Sequence, residues 1–259
     1  PTQRALALLW TQDAPGALDT RAAALAEVNP DAAPAPPAVH ALWALGLAQA
    51  PTARAKGESM VRALFVALPP AALPGAMPWL IMAQRDLAHD RPEIPGAVAL
   101  RELRTLIEDR QLTAALAGPD APDQIGGVVF AGDASSLPTA QSARAIATLA
   151  VMLADDRLTT GTERPRHLVR LLAGVRFLRQ LTVTEDDLWA CANPRLSLGA
   201  VRQAPGDLRC SVDATAMTLI AVCETIDALE RLSPGAAPPA TPLATPKSGE
   251  EPSFPATNP

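Results

Sequence analysis

Apolar positions along this chain recur at three- and four-residue intervals and are interrupted by proline and glycine, the pattern of helices separated by turns. The spacing predicts helices near 3–10, 17–28, 37–49, 52–68, 76–89, 96–112, 138–154, 165–181 and 212–231. Pro37, Pro95, Pro138 and Pro165 are read as first-turn residues, where a missing N–H removes no helical hydrogen bond. From Ser233 to Pro259 the text changes to Pro, Ala, Thr and Ser with almost no large apolar residue. Such a segment cannot bury enough surface to offset the entropy of ordering, so a helical domain at 1–231 is expected to precede a disordered Pro-rich tail at 232–259.

Two stretches of the second half read alike. Gly126-Gly127-Val128-Val129, then Asp133, then Pro138 to Ala143 and an apolar run to Leu153, matches Gly199-Ala200-Val201-Arg202, then Asp207, then Val212 to Met217 and an apolar run to Val222. The copies lie about 74 residues apart, and each is a glycine turn, a short loop and a helix. The closing helices, 139–153 and 212–224, are apolar nearly all round and are expected in an inner layer. Helix 165–181 instead sets Leu168, Leu171, Leu172, Val175 and Leu178 on one stripe, with Arg166, Arg170, Arg176 and Gln180 opposite, as an outer helix with one wet face requires. A buried helix alternating with an amphipathic one implies an all-α fold, an α/α toroid or open arc of helical hairpins, because each pair closes its core only against its neighbours.

Composition narrows this further. Hydrophobic residues are 48% of the chain but aromatics only 3%, with no Tyr, so the apolar mass is mostly Ala and Leu, the best helix formers. β-branched and aromatic residues cluster only locally, as at Val128, Val129 and Phe130, and no sheet beyond a stray bridge is expected. With 22 basic and 27 acidic residues the net charge is −5, which offers no global field to a nucleic-acid backbone. Cys191, Cys210 and Cys223 form no CxxC pair and leave one over from any disulfide, so they are expected to be buried thiols and not a zinc module. No apolar run reaches the ~18 residues of a membrane span. The chain opens at Pro1 directly into the helical run Ala5 to Trp10, which reads as a cut point within a longer protein. That leaves cytoplasm and cell envelope both open as its compartment.

Few residues carry candidate chemistry. Asp213 stands at the entry to helix 212–231, where a carboxylate either satisfies free N–H groups as a cap or serves as an acid at the mouth of a toroid. Asp207 and Asp133 occupy equivalent loop places and could pair with Asp213 for glycoside cleavage, although recurrence in each repeat is what a loop-shaping Asp shows. Arg202 and Arg209 flank Asp207 and either hold a carboxylate or phosphate ligand or pair locally. The arginines of 165–181, with His167 beside them, read as an anion-binding stripe or, more simply, a solvated face. Glu185-Asp186-Asp187 after Thr184 suits a helix N-terminus, and His40 and His89 read as structural. No HExxH, GxSxG or Gly-rich phosphate loop occurs, and nothing calls for a metal or cofactor.

The text Gly199-Ala200-Val201-Arg202, with Ser211-Val212-Asp213-Ala214-Thr215-Ala216-Met217-Thr218-Leu219 after it, resembles the terpenoid cyclase–prenyltransferase superfamily, whose fold is an α/α toroid. Ser211 to Ala216 is similar to the Asp-x-Asp-Asp-Thr-Ala segment of squalene–hopene cyclases. The wider run Arg164 to Leu229, including Phe177-Leu178-Arg179-Gln180-Leu181, resembles squalene-cyclase-like bacterial proteins with no assigned activity, planctomycete members being the expected nearest. The resemblance implies that Asp213 matches the acid that protonates the polyene, with Ser211 and Ala214 replacing its flanking carboxylates. Four Trp, four Phe and no Tyr are a poor cage for a migrating carbocation, and the family's Gln-and-Trp repeats are absent. In the prenyltransferase branch zinc takes an Asp, a Cys and a later His; Asp207 and Cys210 are close, but no His follows Cys210. Toroidal polysaccharide lyases generally rely on a Tyr or His base, and Tyr is lacking. The predicted helices are too few for the family's full ring, so either a missing N-terminal part completes it or the chain is an open arc. The function expected from all this is a non-catalytic helical-repeat scaffold that binds a protein or carbohydrate ligand on its concave face or loop rim. The alternative is a toroid-class enzyme acting on a carbohydrate or isoprenoid, with Asp213 as acid and Asp207 assisting.

Overall fold

The apolar runs between prolines become helices because Ala and Leu lose little side-chain entropy there and each run has one face to bury. The computed structural model describes residues 36–130 and 137–233. The expected helices at 3–10 and 17–28, Asp133, and the expected tail beyond 233 lie outside the described residues. In chain order the helices are α1 (Pro37–Ala48), α2 (Arg54–Ala67), α3 (Trp79–Leu87), α4 (Ala97–Asp109), the short α5 (Ala114–Ala117), α6 (Ser142–Leu153), α7 (Arg164–Leu181), the short α8 (Pro194–Ser197) and α9 (Val212–Leu232). Turns of 3₁₀ helix at Pro70–Ala76 and Glu185–Ala190 lie before α3 and α8. The protein is predominantly helical.

Neighbours in sequence are neighbours in space. α1 packs on α2 and α3, α3 reaches α6, and α6 packs on α7 and α9. Two burial classes alternate along this order. α1 is buried from Trp43 to Ala48 and α6 at every position except Arg144, whereas α2 buries only Gly57, Val61 and Leu64. Phe177 of α7 is enclosed among Ile146, Leu149 and other aliphatic residues of a single continuous core.

The repeat recognised in the sequence is also a repeat of hydrogen bonds. In the first copy Gly126 N–H donates to the Leu112 carbonyl and Leu112 N–H to that of Gly127; Gln111 and Val128 form an antiparallel bridge, and Val128 N–H reaches the Ser142 hydroxyl. In the second, Gly199 N–H donates to Val183 and Val183 N–H to Ala200; Thr182 and Val201 form the bridge, and Val201 N–H reaches the Thr215 hydroxyl. Both glycines have positive φ, +93° at Gly126 and +78° at Gly199, where an L side chain is strained. In both copies one glycine turn ties the end of a long helix, α4 or α7, to the first turn of the next long helix, α6 or α9.

Several expectations are corrected. Helix α9 is not enclosed: it buries a narrow stripe, Ala214, Thr218, Ala221, Thr225 and Ala228, against α6 and leaves Val212, Leu219 and Ile226 exposed. Its apolar composition resembles that of α6, but α6 has α3, α7 and α9 around it, and no described element covers the far face of α9. On α7 the buried line runs through His167, Leu171, Gly174, Phe177, Leu178 and Leu181, so Leu172 turns outward, while Arg166 and Arg176 face water as expected and Arg170 is half-buried. A small hairpin is present, β1 (Arg202–Ala204) paired antiparallel with β2 (Asp207–Cys210) around Pro205-Gly206, where only a bridge was expected. Pro95 and Pro138 precede their helices, which start at Ala97 and Ser142; Pro37 and Pro165 lie in first turns. The thiols are not buried. Cys210 lies on the hairpin and Cys223 on the uncovered face of α9, both exposed, and Cys191 is half-buried.

Candidate functional site

Of the residues singled out from the sequence, Arg202, Asp207, Arg209 and Asp213 lie in the second repeat loop, between the end of α7 and the first turn of α9. The loop is built from the helix ends inward. Thr184 opens the 3₁₀ turn with a capping box: the Asp187 carboxylate accepts from the Thr184 N–H at 2.8 Å, and the Thr184 hydroxyl is its second partner. These bonds, the backbone N–H first, hold the Asp187 carboxyl below the usual carboxylate range. The acidic triplet therefore does the helix-start work its position suggested.

Arg202 turns inward and donates to the carbonyls of Gln180 and Leu181, satisfying the last turn of α7. Arg209 turns to Asp207, donating through Nη2 at 2.6 Å and Nε at 2.9 Å. This guanidinium, with the Arg209 N–H, lowers the Asp207 pKa to about 2. The two arginines thus serve different partners, and Asp207 is an ionised, ion-paired carboxylate instead of a proton donor. Local ion pairing, one of the two readings open for these residues, is the geometry found at Arg209, whereas Arg202 bonds backbone carbonyls and not Asp207.

Asp213 is not the cap of α9. The N-cap of α9 is Ser211, whose hydroxyl accepts from the Ala214 N–H at 3.0 Å and from the Gln203 side chain at 2.9 Å. Asp213 stands in the first turn, exposed, where its charge opposes the helix dipole from outside. The expected cap was assigned two residues too far along, because Ser211 and Asp213 both have cap-forming side chains and the extended backbone that selects between them is not written in residue type. Ser211→Ala is accordingly expected to cost about 1 kcal/mol of stability in urea unfolding, and Asp213→Asn less than about 0.5 kcal/mol. Equal losses would contradict the cap assignment.

The loop also carries an apolar surface that the sequence reading passed over. Trp189 is 87% exposed at the end of the capped 3₁₀ turn, Leu196 and Leu198 are exposed on and after α8, Leu208 on the hairpin, and Val212, at 84%, on the first turn of α9. Large apolar side chains rarely stand this exposed in succession without a binding role. The legible signal was the placing of Trp189 and Leu196 among polar and proline residues, away from any helical stripe.

Two further polar groupings occur elsewhere. Between α4 and α7 the buried Glu108 carboxylate meets His167 Nδ1 at 2.5 Å and Arg166 at 3.6 Å. Beside it the buried Arg104 donates to the Leu158 carbonyl and the Thr159 hydroxyl. His167, read from the sequence as part of a surface stripe, is in fact enclosed here. At the other grouping, Arg110 and Arg144 line a cavity with Phe130 and Gln141. Among the described residues there is no cluster of three or more His, Cys, Asp or Glu suited to a metal ion, and no helix is long and apolar enough to cross a membrane.

These features define a predominantly helical chain in which two glycine turns share one hydrogen-bond pattern. No protein-family model, no curated protein and no solved structure matches it.

Proposed function

We propose that this chain is a non-catalytic helical-repeat binding domain, an arc of α-hairpins of squalene-cyclase-like type, that takes a protein partner on the rim between α7 and α9. The observation that carries this reading is the run of exposed apolar side chains, Trp189, Leu196, Leu198, Leu208 and Val212, on a loop otherwise held firmly to the helix ends. A preformed rim loses little entropy on binding, and Trp is among the residue types that most often carry binding energy. The size of these exposed apolar side chains, Trp189 above all, favours an apolar protein segment, with charged groups such as Arg209 and Asp213 beside them as a polar border. The repeated glycine turn supports the arc, since each copy joins one long helix to the first turn of the next in the same way. The enzymatic alternative requires Asp213 to act as an acid in a cavity, and its carboxylate stands on an exposed first turn.

The test is selection of displayed peptides on the whole chain. Peptides with paired aliphatic or aromatic residues are expected, with Kd raised by at least about tenfold in Trp189→Ala and unchanged in Asp213→Asn, while circular dichroism stays that of the parent. Peptides indifferent to both Trp189→Ala and Leu196→Ala would remove the rim from consideration.

A further inference from the structure

The cavity at the entry to α6 is independent of that rim. It measures about 320 Å3 and is lined by Pro74 and Gly75 of the turn before α3, by Arg110 at the end of α4, by Phe130 of the first repeat turn, and by Gln141 and Arg144 at the start of α6. Its origin lies in the repeat. In the second copy the chain closes by backbone on the turn that leads into α6, the Gln203 carbonyl accepting from the Ala140 N–H at 2.8 Å. In the first copy, Phe130 faces Pro74 and Gly75 across an open space, and the link is made by arginines instead of backbone. Arg144 reaches out of α6 to donate to the Met77 carbonyl at 2.9 Å and that of Gly75 at 3.0 Å; Arg110 donates to the Phe130 carbonyl at 2.8 Å.

The charge of this place is unbalanced. Neither guanidinium forms an ion pair with a described carboxylate, although the chain as a whole has more acidic than basic residues. Arg144 is the one charged residue of α6, a helix otherwise composed of small, apolar and hydroxyl side chains. Burial alone pushes its guanidinium down from the usual arginine range, with no carboxylate acting against that shift. The carbonyl bonds occupy Nε and Nη2 of Arg144 and Nη1 of Arg110. Donors therefore remain on Nη1 of Arg144 and on Nε and Nη2 of Arg110, and a planar oxyanion or a phosphate accepts from such forks in pairs. The first-turn N–H groups of Ser142, Ala143 and Arg144 are already bonded to Thr139, Ala140 and Gln141, so the guanidiniums, and not the helix end, supply the recognition. Phe130 and Pro74 form apolar walls beside them, and the volume is at the lower end of the range for small-molecule sites.

We infer that the cavity between Arg110 and Arg144 binds a small organic oxyanion, a phosphate or carboxylate group carried on a compact apolar or aromatic body. The anion sits between the two guanidiniums, and the body lies against Phe130 and Pro74. Calorimetric titration of the whole chain, in a buffer free of phosphate and carboxylate, tests this with inorganic phosphate, phenyl phosphate and benzoate as probes. Phenyl phosphate is expected to bind once per chain and on the order of tenfold more tightly than inorganic phosphate, because its ring is buried against the walls. Benzoate reports whether the site prefers a carboxylate. Arg110→Gln should weaken every probe by on the order of tenfold or more, Arg144→Lys should do the same by removing the fork while keeping the charge, and Phe130→Leu should weaken only the ring-bearing probes. Arg176→Gln, on the exposed face of α7, should change nothing. If Arg144→Lys does not fold, Arg110→Gln and Phe130→Leu still decide the matter. The inference is overturned if the parent binds none of the probes, or if Arg110→Gln and Arg176→Gln bind alike. It is also overturned if binding appears only in Asp133→Asn, since the arginines would then be counter-ions of the chain's own loop.

Discussion

Glu108→Ala is expected to lower the unfolding free energy by about 3–5 kcal/mol, the cost of removing one member of a buried ion pair. Glu108 is 4% exposed and His167 8%, and their side chains meet at 2.5 Å between α4 and α7. The two groups share one hydrogen bond in a place closed to solvent, so both are satisfied only together. Arg166 lies over the same carboxylate at 3.6 Å, and Arg104, bonded to Leu158 and Thr159, closes the neighbouring side. Alanine leaves His167 and Arg104 enclosed with less negative charge near them. The loss is a large share of the 5–15 kcal/mol that a domain typically has. Replacing both partners, as in Glu108→Leu with His167→Leu, should cost less than the single change, because no stranded polar group remains. Chemical denaturation of the three proteins decides it: a single-variant loss below about 1 kcal/mol would mean that the pair is not structurally coupled.

This pair also marks where the sequence ceased to be legible. The helices at 37–49, 52–68, 165–181 and 212–231 were readable to within a few residues because periodicity and proline punctuation act locally. The repeat was readable because its glycines need a positive φ that other residues rarely adopt. What failed was the rotational setting of α7 and the burial of α9. Leu168, Leu171, Leu172, Val175 and Leu178 make a plausible inward stripe, but the structure rotates it towards Gly174 and Phe177, since Gly174 lets Ile146 of α6 approach so closely that an added Cβ would lie 2.7 Å from it. Turning that way brings His167 inside to Glu108. Close approach between helices is a tertiary property, and a helical wheel counts hydrophobicity without it. The burial of α9 failed for a similar reason: residue type reports what can be covered, and only the neighbours decide what is.

The candidate residues divide along the same line. Thr184 with Asp187, and Asp207 with Arg209, are interactions within three residues, and sequence spacing suggested a helix start for the first and left local pairing open for the second. Ser211 against Asp213 turned on backbone angles, and the grouping of Arg110, Phe130 and Arg144 on a contact between segments that spacing does not relate. One trace of the cavity was nevertheless visible. A single arginine inside the otherwise uncharged run of α6 needed carbonyls, a carboxylate or a ligand to meet it, and the structure supplies two carbonyls for its five donors.

The two repeat glycines supply an experiment with its own control. Gly126→Ala is expected to destabilise the protein by about 3–5 kcal/mol, and Gly199→Ala by only about 1 kcal/mol, although the two occupy the same place in the repeat. Both carry the backbone strain of positive φ, at +93° and +78°. They differ in what surrounds them. A Cβ on Gly126 would lie 2.0 Å from the Ala173 carbonyl oxygen, in the middle of α7, whereas one on Gly199 would meet nothing within 4 Å. The obstruction at Gly126 is backbone and cannot rotate away, so either the turn or α7 must move. The turn is held by Gly126 N–H to the Leu112 carbonyl, and the Gln111 side chain bonds both the Gly126 carbonyl and that of Arg170, fastening turn and helix together at 3.0 and 2.9 Å. Displacing α7 would in turn disturb Gly174 against Ile146 and the enclosed Phe177. Urea unfolding of the parent and the two alanine variants measures the difference directly. Equal losses would show that strain in φ alone accounts for both positions, and the close passage of the first repeat turn over α7 would then contribute nothing to stability.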